Sequence, residues 1–199
     1  MRIIGGKLRG KTILPPAGYK ARPTTDFAKE GLFNALDSEF FFDGLSVLDL
    51  FGGTGSIALE FASRGAGSVI SVEMNPANAA FIKRTAAAFG VDGVVKVVRH
   101  NVFDFIPLCT LRFDIVFADP PYALEGLETI PDKVLARKLV HPEGYLIVEH
   151  PSGCNFAAHP SFLREKKYGN VHFSWFRPLA EPSPSSASSR SPGNPDCIL

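Results

Sequence analysis

The feature that most constrains this chain is the alternation of short apolar segments with longer segments of helical periodicity. Strands that are apolar along their whole length fit a sheet whose two faces are both buried, and alternation with helices predicts parallel pairing. We therefore expect an α/β fold with a doubly wound, mostly parallel sheet. The predicted strands cover residues 45–50, 69–72, 94–98, 113–118 and 144–149. The predicted helices cover roughly residues 27–38, 56–64 and 76–89, and a further helix lies within residues 126–140.

Two more apolar segments near the C-terminus are separated by Gly169-Asn170, which predicts an antiparallel hairpin over residues 162–168 and 171–176. This hairpin brings the expected sheet to seven strands. The residues after the hairpin include five prolines and six serines, a composition that cannot offset its ordering entropy and predicts a disordered tail. The expected parts are a basic arm or hairpin at 1–24, the α/β domain at 25–177 and the tail at 178–199.

Composition excludes several classes of protein. Hydrophobic residues make up 45% and charged residues 21% of the chain, as in soluble globular proteins. No apolar run approaches the roughly 18 residues of a membrane span, and no secretory signal follows the first basic residues. The three cysteines lie far apart and the five histidines show no ligand spacing, so we expect a cytoplasmic protein with no metal site and no membrane partner.

The net charge of +1 conceals an asymmetry along the chain. Residues 1–30 contain seven basic and two acidic residues, which gives +5, whereas the rest contains 14 basic and 18 acidic residues, which gives −4. A basic segment on a mildly acidic body is typical of phosphate binding, although a solvated hairpin would have the same composition. The candidate nucleic-acid contacts are Lys7, Arg9, Lys11 and Arg22.

A glycine-rich turn follows the first predicted strand. It reads Asp49-Leu50-Phe51-Gly52-Gly53-Thr54-Gly55. Glycines let the backbone turn tightly and approach a ligand, and the next helix points its free N–H groups at that ligand. Glu73 follows the second strand, where a carboxylate can accept hydrogen bonds from a ribose diol. This arrangement is typical of a nucleoside site, and the alternative is a strand–helix turn without a ligand.

Two nucleoside cofactors compete for this turn. Gly53, Gly55 and Ala58 satisfy the relaxed dinucleotide fingerprint G-x-G-x-x-G/A, which is compatible with NAD. Asp49 would repel the pyrophosphate of a dinucleotide. S-adenosylmethionine carries an ammonium and a sulfonium and no phosphate, so the acid at the end of the first strand favours S-adenosylmethionine.

The most specific motif is Asp119-Pro120-Pro121-Tyr122, directly after the fourth strand. The exocyclic amino group of a base is a poor nucleophile because its lone pair is delocalised into the ring. The Asp119 carboxylate and the Pro120 carbonyl can accept both amino hydrogens and direct the lone pair toward a methyl donor. Two prolines stiffen the loop, and Tyr122 can stack on an extruded base. The alternative is a proline-rich turn with a buried tyrosine.

Together with residues 1–10 and Arg22-Pro23-Thr24-Thr25-Asp26, these motifs resemble the bacterial 16S ribosomal RNA guanine-N2 methyltransferase (RsmD-type) family. The resemblance covers roughly residues 1–177. It implies a class I methyltransferase fold and transfer of a methyl group from S-adenosylmethionine to a guanine N2 in small-subunit ribosomal RNA. The RNA would be free or in a ribosomal particle, and the enzyme would be a monomer.

The resemblance also assigns roles to matching positions. The methionine end of the cofactor would meet Asp49, Phe51, Gly53 and Gly55. The ribose would meet Glu73, and the adenine would meet Asn101 and Val102, where many methyltransferases have Asp in place of Asn101. The segment containing Arg22 and Thr24 would close over the cofactor, and the target base would meet Asp119, Pro120 and Tyr122.

Four other functions fit parts of the pattern. A DNA adenine or cytosine amino-methyltransferase shares the Asp-Pro-Pro-Tyr loop, but the chain leaves little room for a sequence-reading domain. Protein-glutamine methyltransferases usually have Asn in place of Asp119. An NAD-dependent oxidoreductase would need an acid–base pair that the sequence does not offer. A non-catalytic RNA-binding module would have no use for an intact Asp119–Tyr122 motif.

Overall fold

A seven-stranded sheet lies between two layers of helices in the computed structural model, which describes residues 1–15 and 25–180. The strand order is β3-β2-β1-β4-β5-β7-β6; β1 to β5 pair in parallel, and β7 is antiparallel to both β5 and β6. This confirms the predicted α/β fold. The helices are α1 (Asp26–Asp37), α2 (Ser56–Arg64), α3 (Pro76–Ala88), α4 (Val102–Leu108) and α5 (Ile130–Ala136), and the strands are β1 (Ser46–Asp49), β2 (Ser68–Val72), β3 (Val95–Val98), β4 (Phe113–Ala118), β5 (Val140–His150), β6 (Phe162–Tyr168) and β7 (Val171–Phe176).

The helix predicted within residues 126–140 is confirmed as α5, preceded by a short 3-10 turn at Leu127–Thr129. Two other local predictions differ from the structure. Strand β5 begins at Val140, four residues before the predicted start. Helix α4 was missed because its seven residues are too few for a clear amphipathic period and include Pro107. The signal that could have found it is Asn101, whose side chain accepts a hydrogen bond from Phe103 N at 2.8 Å and caps the helix.

The sheet separates two hydrophobic cores, and adjacent strand residues point into different ones. In β1, Val47 packs in the core that α1, α2 and α3 cover, whereas Leu48 packs in the core covered by α4 and α5. Ile147 and Leu146 of β5 alternate in the same way. This burial on both sides explains why neighbouring positions in the middle of these strands are both apolar.

The described part of the predicted basic arm is a hairpin packed on the domain. Arg2 and Thr12 form an antiparallel bridge, and the side chains of Ile3 and Ile13 are fully buried in the core beside α1 and α2. Ile3 and Ile13 therefore anchor this segment, while its described basic residues face outward. The boundary placed at residue 24 stays a prediction. Arg22, Thr24 and the tail beyond residue 180 lie outside the described residues.

A buried ion pair fastens this hairpin. Lys29 of α1 lies 3.3 Å from Glu60 of α2, and both side chains are fully buried. Burial lowers the pKa of Lys29, and the nearby Glu60 carboxylate opposes that shift. Glu60 also accepts hydrogen bonds from the backbone N–H groups of Ile4 and Gly5, and Lys29 donates to the carbonyl oxygen of Arg2 at 2.6 Å. The pair therefore joins α1, α2 and the hairpin.

None of the helices in residues 1–15 and 25–180 combines the length and the apolar character that crossing a membrane requires.

Replacing Lys29 by Met should lower the free energy of unfolding by about 3 kcal/mol, because the buried Glu60 then loses one cationic partner and keeps Arg64, whose Nε lies 3.0 Å away. The double variant Lys29→Met/Glu60→Gln should lose less than the sum of the two single variants. Urea unfolding measures both effects. The control Lys83→Met, an exposed lysine on α3, should stay within about 0.5 kcal/mol of wild type. Equal losses in Lys29→Met and Lys83→Met would contradict the role of the pair.

Candidate active site

Four acidic residues gather at the carboxyl edge of the parallel sheet. Asp49 ends β1, Glu73 follows β2, Asp119 follows β4 and Glu149 lies near the end of β5. Parallel strands end at one edge, so residues far apart in sequence become neighbours there. The sequence motifs pointed to the first three. Glu149 was missed because it belongs to no motif, although its place at the end of the fifth apolar strand could have indicated it.

The glycine turn between β1 and α2 allows no larger side chains at its crowded positions. Gly55 has a φ of 77°, and a Cβ atom there would lie 2.9 Å from the side chain of Ile82. A Cβ atom on Gly52 would collide with the hydroxyl of Ser71. The turn is closed by a hydrogen bond of 2.6 Å from Gly55 N to Gly52 O. Glycine is therefore required both for the backbone conformation and for the close approach of α3 and β2.

Asp49 is the most deeply buried of the four acids, with 1% of its surface exposed. Removal from water is the main cause that raises the pKa of its carboxyl to about 7, and the negative charges of Asp119 and Glu73 contribute to this rise. A hydrogen bond of 3.1 Å from the Ser71 hydroxyl opposes this shift. A nearby cation stabilises the ionised form of a carboxyl that burial and negative neighbours disfavour, so Asp49 suits an ammonium group.

Glu73 is held in place by two backbone donors. One carboxylate oxygen accepts a hydrogen bond from Gly53 N at 2.7 Å, and the other accepts one from Asn75 N at the same distance. The contact with Gly53 ties the glycine turn to the end of β2. Each carboxylate oxygen can accept more than one hydrogen bond, so Glu73 keeps the capacity to bind a ribose hydroxyl.

The two residues predicted to meet adenine start α4. The side-chain oxygen of Asn101, which the prediction assigned to the adenine amino group, accepts the capping hydrogen bond from Phe103 N. Val102 is buried in the core under α4 and α5. Capping gives a local reason for Asn at this position. This capping bond does not exclude the adenine contact, since a carbonyl oxygen can accept a second hydrogen bond, and the contact stays a prediction.

The Asp-Pro-Pro-Tyr loop leaves the sheet directly after β4. A hydrogen bond of 2.8 Å from Leu124 N to Pro121 O closes the loop. Tyr122 is 46% exposed, and its hydroxyl donates to Glu149 at 3.4 Å. The tyrosine of the motif is therefore a surface residue held at its hydroxyl end, which leaves ring surface available to a planar ligand.

The remaining predicted residues belong to the glycine turn or to the N-terminal hairpin. Phe51 packs partly against the core under α4 and α5, and Thr54 of the glycine turn contacts the sulfur of Met1 at 3.4 Å. Lys7, Arg9 and Lys11 are exposed on the hairpin. The structure thus brings together the predicted acids, glycines and Tyr122, and it leaves the three basic residues on a separate, outward face.

In the absence of cofactor, replacing Asp49 by Asn should raise the free energy of unfolding, and this gain should increase with pH. The carboxyl of an unfolded Asp has a pKa of 3.8, and that of Asp49 in the folded protein is about 7. Between these two pH values only the unfolded state ionises, which lowers the free energy of unfolding of wild type. The advantage of the Asn variant should grow by about 1.4 kcal/mol per pH unit between pH 4 and 7 and level off above pH 7. Urea unfolding at pH 5, 6, 7 and 8 measures it. A difference independent of pH would contradict this electrostatic picture.

Comparison with known proteins places the chain among methyltransferases. The family described as "Conserved hypothetical protein 95" matches residues 1–177. The ribosomal RNA small subunit methyltransferase D of Escherichia coli (strain K12) is 31% identical over 184 residues, covering 91% of each chain. The solved structure of an Escherichia coli protein described as a candidate methyltransferase aligns with a TM-score of 0.78 and 32% identity, covering 91% of this chain and 99% of the other.

A more distant structure shares the fold. The RNA methyltransferase of Salinibacter ruber, solved in complex with S-adenosyl-L-homocysteine, aligns with a TM-score of 0.62 and 14% identity. The alignment covers 81% of this chain and 97% of that protein.

Proposed function

We propose that this chain, which belongs to the family of the ribosomal RNA small subunit methyltransferase D, transfers a methyl group from S-adenosylmethionine to the exocyclic N2 of a guanine in small-subunit ribosomal RNA. The observation that carries this proposal is the meeting of two motifs at one sheet edge. Asp49 and Glu73 frame a glycine turn that suits a cationic nucleoside, and Asp119 begins a base-binding loop on the strand next to β1.

The residues around the glycine turn fit S-adenosylmethionine better than a dinucleotide. Burial, together with the charges of Asp119 and Glu73, raises the pKa of Asp49, so a pyrophosphate placed there would add negative charge to a buried acidic site. The ammonium of the methionine end would relieve that repulsion. Glu73, fixed by Gly53 N and Asn75 N, would accept hydrogen bonds from the ribose hydroxyls. When bound, this cofactor supplies an electrophilic methyl group on a sulfonium.

The Asp-Pro-Pro-Tyr loop prepares the attacking nitrogen. The Asp119 carboxylate and the Pro120 carbonyl accept one hydrogen bond each from the amino group, which turns its lone pair out of conjugation with the ring. The nitrogen would become positive as it bonds to the methyl carbon, while the methyl–sulfur bond breaks and the sulfur leaves as a neutral thioether. The nitrogen would then release one proton to solvent water. The negative charge of Asp119 stabilises this developing charge, and the effect is strong in a site with little water. Tyr122 holds the base by stacking.

Asp119→Asn is expected to lower methyl transfer by roughly a hundredfold or more, because it keeps the shape of the side chain and removes its charge. Asp119→Ala should lose at least as much, and both should bind S-adenosylmethionine nearly as well as wild type. The assay incubates the protein with labelled S-adenosylmethionine and ribosomal RNA or small-subunit particles, and the labelled nucleoside is then identified.

The matched control is Asp92→Asn, an exposed acid on the loop before β3, at the opposite end of the sheet. It should keep wild-type activity. The expected product is N2-methylguanosine. Full activity in Asp119→Ala would disprove the mechanism, and a labelled adenosine or cytidine would disprove the substrate and favour the DNA-type amino-methyltransferase instead.

The exposed face of the hairpin suits the RNA partner. Lys7, Arg9 and Lys11 project from it, and the ammonium of Lys11 lies 4.9 Å above the ring of Phe89. An open groove of about 430 Å³ runs beside this contact between the hairpin and α3, and Arg84 contributes to its wall. Basic and aromatic groups in one groove are typical of contacts to single-stranded RNA. We assign the RNA to this face and expect a cytoplasmic monomer that binds it free or in a partly or fully assembled small subunit.

Replacing Lys7, Arg9 and Lys11 by Gln should weaken RNA binding and reduce the slope of log affinity against log salt by about 2–3, because each phosphate contact contributes about 0.7–0.9. Binding of S-adenosylmethionine should not change. The control removes three exposed basic residues of the α4–α5 side, Arg112, Lys133 and Arg137. If both triple variants show the same slope as wild type, the hairpin has no direct role in RNA binding.

A further inference from the structure

Glu149 is the fourth acid of the site and has no role in the proposal above. Ala118 of β4 is in register with Val148 of β5, so Asp119 and Glu149 are the next residues of two adjacent parallel strands. Glu149 is only 4% exposed, and on the β7 side of its strand it is in register with the fully buried Phe173. The second carboxylate therefore lies beside the first, deep at the edge where the target base would enter.

The contact with Tyr122 connects Glu149 to the base. The Tyr122 hydroxyl donates to Glu149 Oε1 at 3.4 Å, so the carboxylate lies at the hydroxyl end of the ring on which the base would stack. A carboxylate has about four lone-pair positions on its two oxygens and can accept from Tyr122 and from a further donor together. Glu149 can thus meet the edge of a base that Tyr122 holds by its face.

Guanine presents three hydrogens along this edge, two on N2 and one on N1. Asp119 and Pro120 account for the two on N2. We propose that Glu149 accepts the hydrogen bond from N1–H and thereby selects guanine over bases whose ring nitrogen beside the amino group is an acceptor. Adenine and cytosine have such a nitrogen, and its lone pair would face the carboxylate. This inference rests on the proposed function, since it assumes N2 as the methylated atom.

The test uses a guanine analogue that keeps both amino hydrogens and lacks only the hydrogen on N1 among these three hydrogen-bond donors. The methylated guanosine is first located in the RNA by mass spectrometry and then replaced, by ligation, with 2-aminopurine riboside. This base keeps the 2-amino group but has an unprotonated N1. Wild type should prefer guanosine by about a hundredfold or more in kcat/KM, because a site built around a hydrogen bond rejects an analogue that cannot make it.

Glu149→Gln should lower the rate on guanosine and reduce the preference to about tenfold or less, because an amide can donate to N1 as well as accept from it. Glu149→Asp keeps the charge and should recover part of the preference that Gln loses. Glu143→Gln is the matched control, since Glu143 lies on the same strand with 93% of its side chain exposed, and it should keep the wild-type preference. Thermal unfolding and binding of S-adenosylhomocysteine check that each variant is folded.

Tyr122→Phe separates selection of the base from positioning of the tyrosine. It removes the hydrogen bond to Glu149 and leaves the carboxylate, so the preference for guanosine should persist even if the rate falls on both substrates. The contrary outcome is that Glu149→Gln behaves like Tyr122→Phe and lowers the rates on guanosine and on 2-aminopurine riboside by the same factor. The preference for guanosine would then be unchanged, Glu149 would only support Tyr122, and the inference would be wrong. Absence of N2-methylguanosine with wild type would overturn the proposed function itself.

Discussion

The parallel pairing of the central strands is the constraint on which the site depends. β1 lies between β2 and β4, so the chain moves outward from β1 to β3 and then returns on the other side through β4 and β5. The crevice at such a reversal is where ligands bind in open α/β sheets. Here the same pairing brings Asp49 and Asp119 to neighbouring strand ends. Burial is the main cause of the raised pKa of Asp49, and the charge of Asp119 adds to it. The geometry that creates the site also concentrates negative charge in it.

That concentration is costly to the folded protein, and nearby donors offset it only in part. Ser71 donates to Asp49, and Gly53 N and Asn75 N donate to Glu73. Glycine matters here in a second sense, because Gly53, whose N–H donates to Glu73 at 2.7 Å, has a φ of 54°, a conformation that favours glycine. Asp49, the most deeply buried acid, accepts a hydrogen bond from the Ser71 hydroxyl and lies near the negative charges of Asp119 and Glu73. A cationic ligand is the natural complement of such an edge, which is a reason to favour S-adenosylmethionine independent of any glycine pattern.

The sequence was sufficient for features whose signals are local. The apolar strands, the glycine turn and the Asp119–Tyr122 loop are each contiguous, and strand alternation was enough to place Asp49, Glu73 and Asp119 at one edge. Glu149 and the Lys29–Glu60 pair were not predicted, because their meaning depends on which strands and helices become neighbours. Lys29 looks like an ordinary helix-surface lysine until α2 is packed against α1. Helix α4 was lost for the opposite reason, since its local signal is short and interrupted by Pro107.

Helix α2 links the two halves of the molecule that sequence analysis treated as separate. Its first residue, Ser56, follows the glycine turn, and its hydroxyl accepts a hydrogen bond from the buried Lys29 at 3.1 Å. One turn later, Glu60 holds the backbone of the N-terminal hairpin. The beginning of α2 and the docking of the hairpin therefore depend on the same buried charges. Because Thr54 in the turn also contacts Met1, the basic hairpin is fixed relative to the cofactor turn. If the proposed sites are correct, this fixed relation would let one rigid body hold both the methyl donor and the RNA.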